Sequence, residues 1–330
     1  MFNKYNSIEN SYQEKFLDKV RNNGYADYEF VVQEKVHGAN LSYWTTDGKQ
    51  FHAAKRTGNV LKDEKFNNYE IILEEIRPQL EALYEVLKKD YPGLEQVTFF
   101  GEVMGGNYPH PDVAVVKNAV KVQKGVFYCP ENKFYAFDIL LNGSDYLNAD
   151  VANGYFERYG LLHAKTLFKG SLEECLQYPN DFESTLPREF GLPAIKDNIA
   201  EGVIIRPVQS TYFSSGSRLI LKNKNEKWSE KARTFKVIKK KAPLPEKLAV
   251  LIEAISGYVT ENRLDNVLSK IGEVSLSDFG KVMGLYSKDV IEDFLKDYEE
   301  PFNALEKADR KVITKSFAAV ASGLVRKKLR

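Results

Sequence analysis

Gln33-Glu34-Lys35-Val36-His37-Gly38-Ala39-Asn40 lies between two short β-rich runs, Phe30–Gln33 and Leu41–Trp44. Lys35 is therefore expected at the end of a strand, entering a turn at Gly38. The pattern Lys-x-x-Gly is weak by itself, because glycine makes up roughly 7% of residues and such matches arise by chance. Three occur here, at Lys35, Lys55 and Lys281. Lys281 precedes Gly284 where a helix should end, a common place for both residue types. Lys55 leads into Arg56-Thr57-Gly58, a polar turn after a strand. The rest of the chain has to choose between them.

Outward from that stretch, residues 1–240 read as mixed strand and helix. Further β-rich runs occur at Phe51–Ala54, Val97–Gly101, Phe134–Leu141, Gly202–Arg206 and Leu219–Lys222. Turns rich in Gly, Asn, Asp and Pro separate them. Tyr69–Lys89 carries Ile72, Ile76, Leu80, Leu83 and Leu87 at helical spacing, with Pro78 expected to mark a break or a second helix start. After KVIKKKAPLPEK (236–247) the β signal ends. Helices are expected at Leu248–Val259, Arg263–Ile271, Ser277–Met283, Lys288–Tyr298 and Ala304–Leu329, with Ser275 and Ser287 as N-caps and Pro301 in a first turn. In the last helix Ile313, Phe317, Val320 and Leu324 fall on one face. The expected organisation is an α/β domain (1–235), a basic Pro-containing linker (236–247) and a helical domain (248–330).

Composition narrows the class. The chain has 330 residues and a formal net charge of +1, so no uniform electrostatic coat is present. No run approaches the roughly 18 apolar residues of a membrane span. Cys129 and Cys175 are too few for a disulfide framework or an all-protein zinc site, and a cytoplasmic setting is expected. Charge is nonetheless uneven: Arg218 to Lys241 holds ten Lys/Arg against Glu226 and Glu230. Alone, such a run reads as a solvated linker.

A lysine attacking phosphorus needs a neutral amine, although its unperturbed pKa is about 10.4. Its site must supply nearby cations, neutralise a polyphosphate leaving group and hold a base against an apolar face. Matching pieces follow in order: Glu34-Lys35-x-His37-Gly38-x-Asn40, Lys55-Arg56-Thr57-Gly58, Phe99-Phe100-Gly101-Glu102, Tyr135-Ala136-Phe137-Asp138, Glu201-Gly202-Val203-Ile204-Ile205-Arg206 and Leu221-Lys222-Asn223-Lys224. This set resembles the six motifs of the covalent nucleotidyltransferase superfamily, and within it the type-2 RNA ligases. The stretches Tyr258–Glu273 and Asp278–Leu285 resemble the helical domain of that family.

The resemblance implies an α+β fold, with an N-terminal adenylyltransferase domain of ATP-grasp-like antiparallel sheets and helices and a small all-α C-terminal domain. It implies an ATP-dependent RNA ligase that joins 3′-OH and 5′-phosphate ends, as at nicks in duplex RNA. Lys35 would carry AMP from ATP to the RNA 5′-phosphate. Glu34 would lie near the adenine edge and Phe137 would stack on adenine, although core packing is the plainer role for an aromatic in a strand. Arg56 and Glu102 would receive the ribose, and Lys222 and Lys224 would face the phosphates. Glu201 and Asn40 would help hold Mg²⁺ or Mn²⁺. His37 belongs to the nucleotide motif without an assigned step, and Asp138 either contacts the nucleotide or begins a polar strand end.

Arg206 stands where some relatives have lysine. The run 105–121 looks longer than the corresponding phage loop and reads as a lengthened surface loop. Next to the sixth motif, the basic run reads as a phosphate track. The expected partner is RNA, with the chain acting as a monomer and without a membrane. A DNA ligase, a capping-type nucleotidyltransferase and a catalytically degenerate RNA-binding protein are the competing readings.

Overall fold

A computed structural model describes residues 1–228 and 246–329. The chain divides into two compact units, Met1–Asn225 and Glu226–Arg330.

The first unit is built on eleven strands: β1 (Glu9–Asn10), β2 (Phe30–Glu34), β3 (Ala39–Thr45), β4 (His52–Lys55), β5 (Gly58–Asn59), β6 (Val97–Gly105), β7 (Asn132–Leu141), β8 (Asp145–Tyr146), β9 (Thr166–Gly170), β10 (Gly202–Pro207) and β11 (Leu221–Lys224). They form one sheet ordered β1-β11-β10-β2-β9 and another ordered β5-β4-β3-β6-β7-β8. Every pairing is antiparallel except β1 with β11. Five helices accompany them: α1 (Glu14–Asn22), α2 (Tyr69–Asp90), α3 (Ala149–Arg158), α4 (Leu172–Leu176) and α5 (Leu186–Glu189).

Period-two alternation sorts the side chains of each sheet onto two faces. In the six-stranded sheet Leu41, Tyr43, Phe99 and Ile139 face a core completed by Ile72, Leu80, Leu83 and Leu87 of α2. Burying each of these large side chains contributes about 1.5–3 kcal/mol. The helix continues through Pro78 as one element of 22 residues, rather than breaking there. In the five-stranded sheet Phe30, Val32, Val203, Ile205 and Leu221 face a second core with Leu17 and Val20 of α1. The remaining faces carry the candidate site. Between them lies a small cluster of Tyr5, Phe100, Leu140 and Ile220, against which Phe137 packs.

A β-bulge interrupts the alternation where it matters. Phe100 pairs with Asp138 and Gly101 with Ala136, so Phe137 is the extra residue of β7. A bulge turns two successive side chains to one face. Phe137 joins the small cluster, while Ala136 and Ile139 stay in the α2 core.

The second unit is helical: α6 (Glu246–Ser256), α7 (Glu261–Ser269), α8 (Phe279–Asn303), α9 (Lys307–Ser316) and α10 (Ala318–Lys328). The α+β architecture inferred from the sequence, antiparallel sheets with helices and then an all-α part, is the one found. Ser275 does cap, through a box with Asp278 on a single 3-10 turn, but Ser287 lies inside α8. Helix α8 leaves helical values at Tyr298 (φ −126°, ψ 22°), three residues before Pro301. Proline excludes the hydrogen bond that would continue the previous turn. The expected final helix is two, meeting at Phe317, and the break rotates the buried face. Ile313, Phe317, Ala321 and Val325 are buried, whereas Val320 is exposed. Of the expected linker 236–247, all but the last two residues lie outside the described residues, as does the basic run beyond Trp228.

Candidate active site

Lys35 follows directly on β2. Its backbone N–H donates to the Gly202 carbonyl at 2.9 Å, which carries the β2–β10 ladder one residue past the strand. That bond fixes the Cα while the side chain leaves the core-facing surface of the sheet. Lys35 Nζ then lies 2.7 Å from Glu201 Oε2. Lys224 Nζ lies 2.8 Å from Glu201 Oε1, and His37 Nδ1 is 3.5 Å from Oε2. Glu201 itself is 1% exposed. Gly202, at φ +142°, makes this arrangement possible, since a Cβ there would collide with the Asn223 carbonyl oxygen. Gly38 serves on the other side: a Cβ there would run into the Val103 carbonyl oxygen, so only glycine brings the turn against β6.

The charges form a compact set. Burial alone would raise the Glu201 carboxyl, but Lys224, then Lys35 and His37, outweigh it and hold it well below the usual carboxylate range. Glu102 of β6, cross-strand from Asn40, behaves in the opposite way. Its Oε2 is sealed from solvent and accepts no hydrogen bond. Burial first, and then the negative charge of Glu201, push it up to about 7 against the opposing pull of Lys35, Arg56 and Lys224.

The sign of the linkage follows. A carboxyl that holds its proton more tightly when folded than unfolded stabilises the fold least where both states are ionised. Stability should fall as pH rises from about 4.5 to about 7, by up to about 3 kcal/mol from this group. Glu102→Gln should flatten that part of the profile and be at least as stable as the parent at pH 8. Denaturant unfolding at a series of pH values reads this out, and an unchanged slope in the variant would contradict it.

The other candidates separate into those that share this face and those that do not. Lys222, opposite Ile204, and Lys224, opposite Gly202, project to the same side of β11. Asn40 donates to the Gly101 carbonyl at 3.4 Å. Arg56 follows β4 and donates to the Asn6 carbonyl at 3.2 Å, and its charge acts on Glu102. Phe137 is half-buried, edge-on to Tyr5 at 4.9 Å between centroids.

Glu34 is on the opposite face of β2 from Lys35, because adjacent strand residues alternate. Its carboxylate accepts from Ser184 Oγ (2.6 Å), Thr185 Oγ1 (2.7 Å) and the Thr185 N–H (2.9 Å). It ties the start of α5 to the end of β2, one residue before Lys35. Lys55 stands opposite Leu41 on the core-facing side and pairs with Glu64. Lys281 is exposed on α8 of the helical unit.

Asp138, Arg206 and Arg218 prove to be one buried cluster. Arg206 Nη1 lies 2.9 Å from Asp138 Oδ2, Arg218 Nη1 reaches the same oxygen, and Tyr5 Oη donates to it at 2.8 Å. Arg206 Nη2 also donates to the Phe137 carbonyl. Arg218, read from sequence as the start of a phosphate track, is 4% exposed and stacks over Tyr146. Burial pushes Asp138 up, and the two guanidiniums bring it below the usual carboxylate range.

The run 105–121 is mostly exposed, with Val115 at 87%, as a lengthened surface loop would be. The residues just after it brace the Lys35 turn: Tyr128 Oη accepts from the His37 N–H at 2.7 Å, and Gln123 Nε2 donates to the Gly38 carbonyl at 3.2 Å. Tyr5, Gln123, Tyr128 and Ser184-Thr185 are silent in the sequence, since each acts through a partner 85 or more residues away and none belongs to a local motif.

Among the described residues no three His, Cys, Asp or Glu side chains gather as a ready metal site. The donor set suits a cation that keeps much of its water: the Glu201 carboxylate and the Asn40 side-chain amide, the latter cross-strand from Glu102, whose Oε2 is buried and unpartnered.

A sequence profile of the RNA ligase family matches residues 28–224, and one described as T4 RNA ligase 2 C-terminal matches residues 242–322. This chain belongs to the type-2 RNA ligase family. The family member is 29% identical over 367 residues to the mitochondrial RNA-editing ligase 2 of Trypanosoma brucei brucei, covering 96% of this chain and 88% of the relative. It is 30% identical over 351 residues to the mitochondrial RNA-editing ligase 1 of the same organism, covering 87% and 74%. Among solved structures, a Naegleria gruberi RNA ligase mutant without ligand aligns with a TM-score of 0.48 at 13% identity. A mutant of that ligase with AMP and Mn gives 0.47, again at 13% identity. Each alignment covers 69% of this chain, which spans 57% of the Naegleria chains. No helix among the described residues of this RNA ligase family member is long and apolar enough to cross a membrane.

Proposed function

We propose that the protein is an ATP-dependent RNA ligase that seals 3′-OH and 5′-phosphate ends, with nicks in duplex RNA as its substrate. The observation that carries this reading is the Lys35 amine on a buried Glu201 that Lys224 also holds, 2.7 and 2.8 Å away. In this reading the deprotonated Nζ of Lys35 attacks the α-phosphorus of ATP, an N–P bond forms, and pyrophosphate leaves with the bonding pair. An oxygen of the RNA 5′-phosphate next takes the AMP from Lys35. The 3′-hydroxyl oxygen then attacks that 5′-phosphorus, AMP departs, and the hydroxyl proton is released. Each step moves negative charge onto phosphoryl oxygens, which Lys222 and Lys224 stabilise from one face.

Arg56 and Glu102 receive the ribose in this reading, and half-buried Phe137 stacks on adenine, held in position by its bulge. Glu201 and Asn40 hold Mg²⁺ or Mn²⁺, which supplies charge neutralisation when bound. His37 orients the Lys35 turn through Tyr128 and Glu201. Glu34 acts at the adenine edge through the Ser184–Thr185 segment that it anchors. Activity as a monomer in the cytoplasm completes the reading. The two cysteines, buried and unpaired, suit a reducing compartment.

The test is direct. Full-chain protein, first discharged with pyrophosphate, is incubated with a divalent cation and α-labelled ATP or GTP. Label from ATP should stay covalently on the protein and chase into RNA nicks in preference to DNA nicks. Protein that takes no label from either nucleotide would sink the proposal, and preference for GTP would reassign it to capping-type chemistry.

A further inference from the structure

The site face of the six-stranded sheet does not end at the nucleotide residues. Asn40 and Ser42 of β3 share it with Trp44, and on β4 Trp44 pairs directly with His52. The neighbouring pair, Tyr43 and Ala53, belongs to the α2 core, so alternation fixes Trp44 and His52 on the opposite face, the one that carries Glu102. The two rings stack at 4.2 Å between centroids with 22° between planes. The indole Nε1 donates to Asn59 Oδ1 at 3.0 Å, which fixes the ring. Both side chains are half-buried and keep solvent-facing surface.

His52 and Asn59 also line a groove of about 550 Å³ on the α2 side of the β4–β5 edge, whose walls are Phe51, Ala53, Lys62, Tyr69, Glu70 and Glu74. Arg56 stands at the inner end of this surface, two residues from Ala54 along the same face. From Asn40 to Trp44 the strand advances roughly 13 Å, about the rise of four stacked bases.

We infer that the Trp44–His52 pair is a stacking platform for a base of the RNA substrate about four nucleotides from the joining point, where that strand is unpaired. The inference rests on the ligase reading and extends it outward along the same face. A base with both π-faces available suits a pre-stacked, hydrogen-bonded aromatic pair, because the platform loses little freedom on binding. The contact is sequence-tolerant, since every base offers a π-face. A cross-strand pair that only steadies the sheet would alter unfolding and leave RNA affinity unchanged.

The chain holds two tryptophans, Trp44 and Trp228, so Trp228→Phe isolates the platform's emission. Titrating that full-chain protein with a 5′-phosphorylated oligoadenylate should quench Trp44 saturably. His52→Ala should weaken oligoadenylate binding about tenfold and raise KM for RNA similarly, with kcat and self-labelling by ATP unchanged. His52→Phe should restore the affinity. Protein that takes label from ATP yet shows flat Trp44 emission with RNA overturns the platform alone. So does His52→Ala that shifts only the unfolding midpoint, or an equal quench by AMP. Wild-type protein that takes no label overturns the ligase reading and, with it, this assignment of its substrate.

Discussion

Lys35→Ala should abolish the covalent protein–AMP adduct formed from α-labelled ATP, whereas Lys55→Ala and Lys281→Ala should keep it. All three lysines begin a Lys-x-x-Gly sequence, so the pattern cannot discriminate between them, and their surroundings can. Lys55 is cross-strand from Leu41, on the core-facing side of its sheet, and is already paired with Glu64. Lys281 belongs to the helical unit. Only Lys35 meets a buried carboxylate shared with a second lysine and a histidine. Removing the nucleophile of a covalent mechanism lowers turnover by on the order of 10⁶ in well-studied cases, so the expected result is a band at the detection floor.

Lys35→Arg separates chemistry from structure in the same assay. A guanidinium keeps the positive charge beside Glu201 but does not deprotonate at working pH. It should therefore fold as well as the parent and still take no label. A labelled Lys35→Arg protein, or a labelled Lys35→Ala protein, would move the nucleophile elsewhere. The pairing with Glu201 also implies a resting state in which the amine is engaged. In the proposed mechanism ATP and its cation would draw Glu201 away from that amine, with Lys224 still holding the carboxylate.

Much of this was legible in the chain because strand alternation and turn residues are local signals. The runs at Phe30, Leu41, Phe51, Val97, Phe134, Gly202 and Leu219 all became strands, and they deliver Lys35, Asn40, Glu102, Lys222 and Lys224 to one region. Elements such as β9 and α3 carry weaker periodicity and leave no clear local signal in the sequence. The bulge at Phe137 left no local signature, since it depends on the register against β6. Glu34 and Lys35 are neighbours in one motif and yet face opposite sides of β2, which motif order alone does not express. Charge runs mislead for a related reason. Arg218 reads as solvated when counted with Lys222 to Lys241, but its partner Asp138 is 80 residues away.

That partner carries the second large effect. Asp138→Asn should lower the unfolding midpoint of the Met1–Asn225 unit by on the order of 10 °C, corresponding to about 3–5 kcal/mol. The asparagine is nearly isosteric, so no cavity is created. What it removes is, among the described residues, the only carboxylate paired with Arg206 and Arg218, which are 2% and 4% exposed, leaving two guanidiniums desolvated without compensation. The native pair also has a pH signature. Asp138 titrates below its usual range, so its contribution is complete above about pH 4 and is lost as pH falls through the depressed value. Replacing the whole charged cluster, with Asp138→Leu, Arg206→Met and Arg218→Met together, should recover most of the stability, because buried ion networks are often matched by apolar groups of similar size. Self-labelling should not recover with it. Asp138 follows the bulged Phe137, and Arg206 donates to the Phe137 carbonyl, so the apolar core would fold without fixing that ring. A stable triple variant with a raised KM for ATP would assign the cluster to positioning Phe137. Unchanged ATP kinetics would assign it to stability alone.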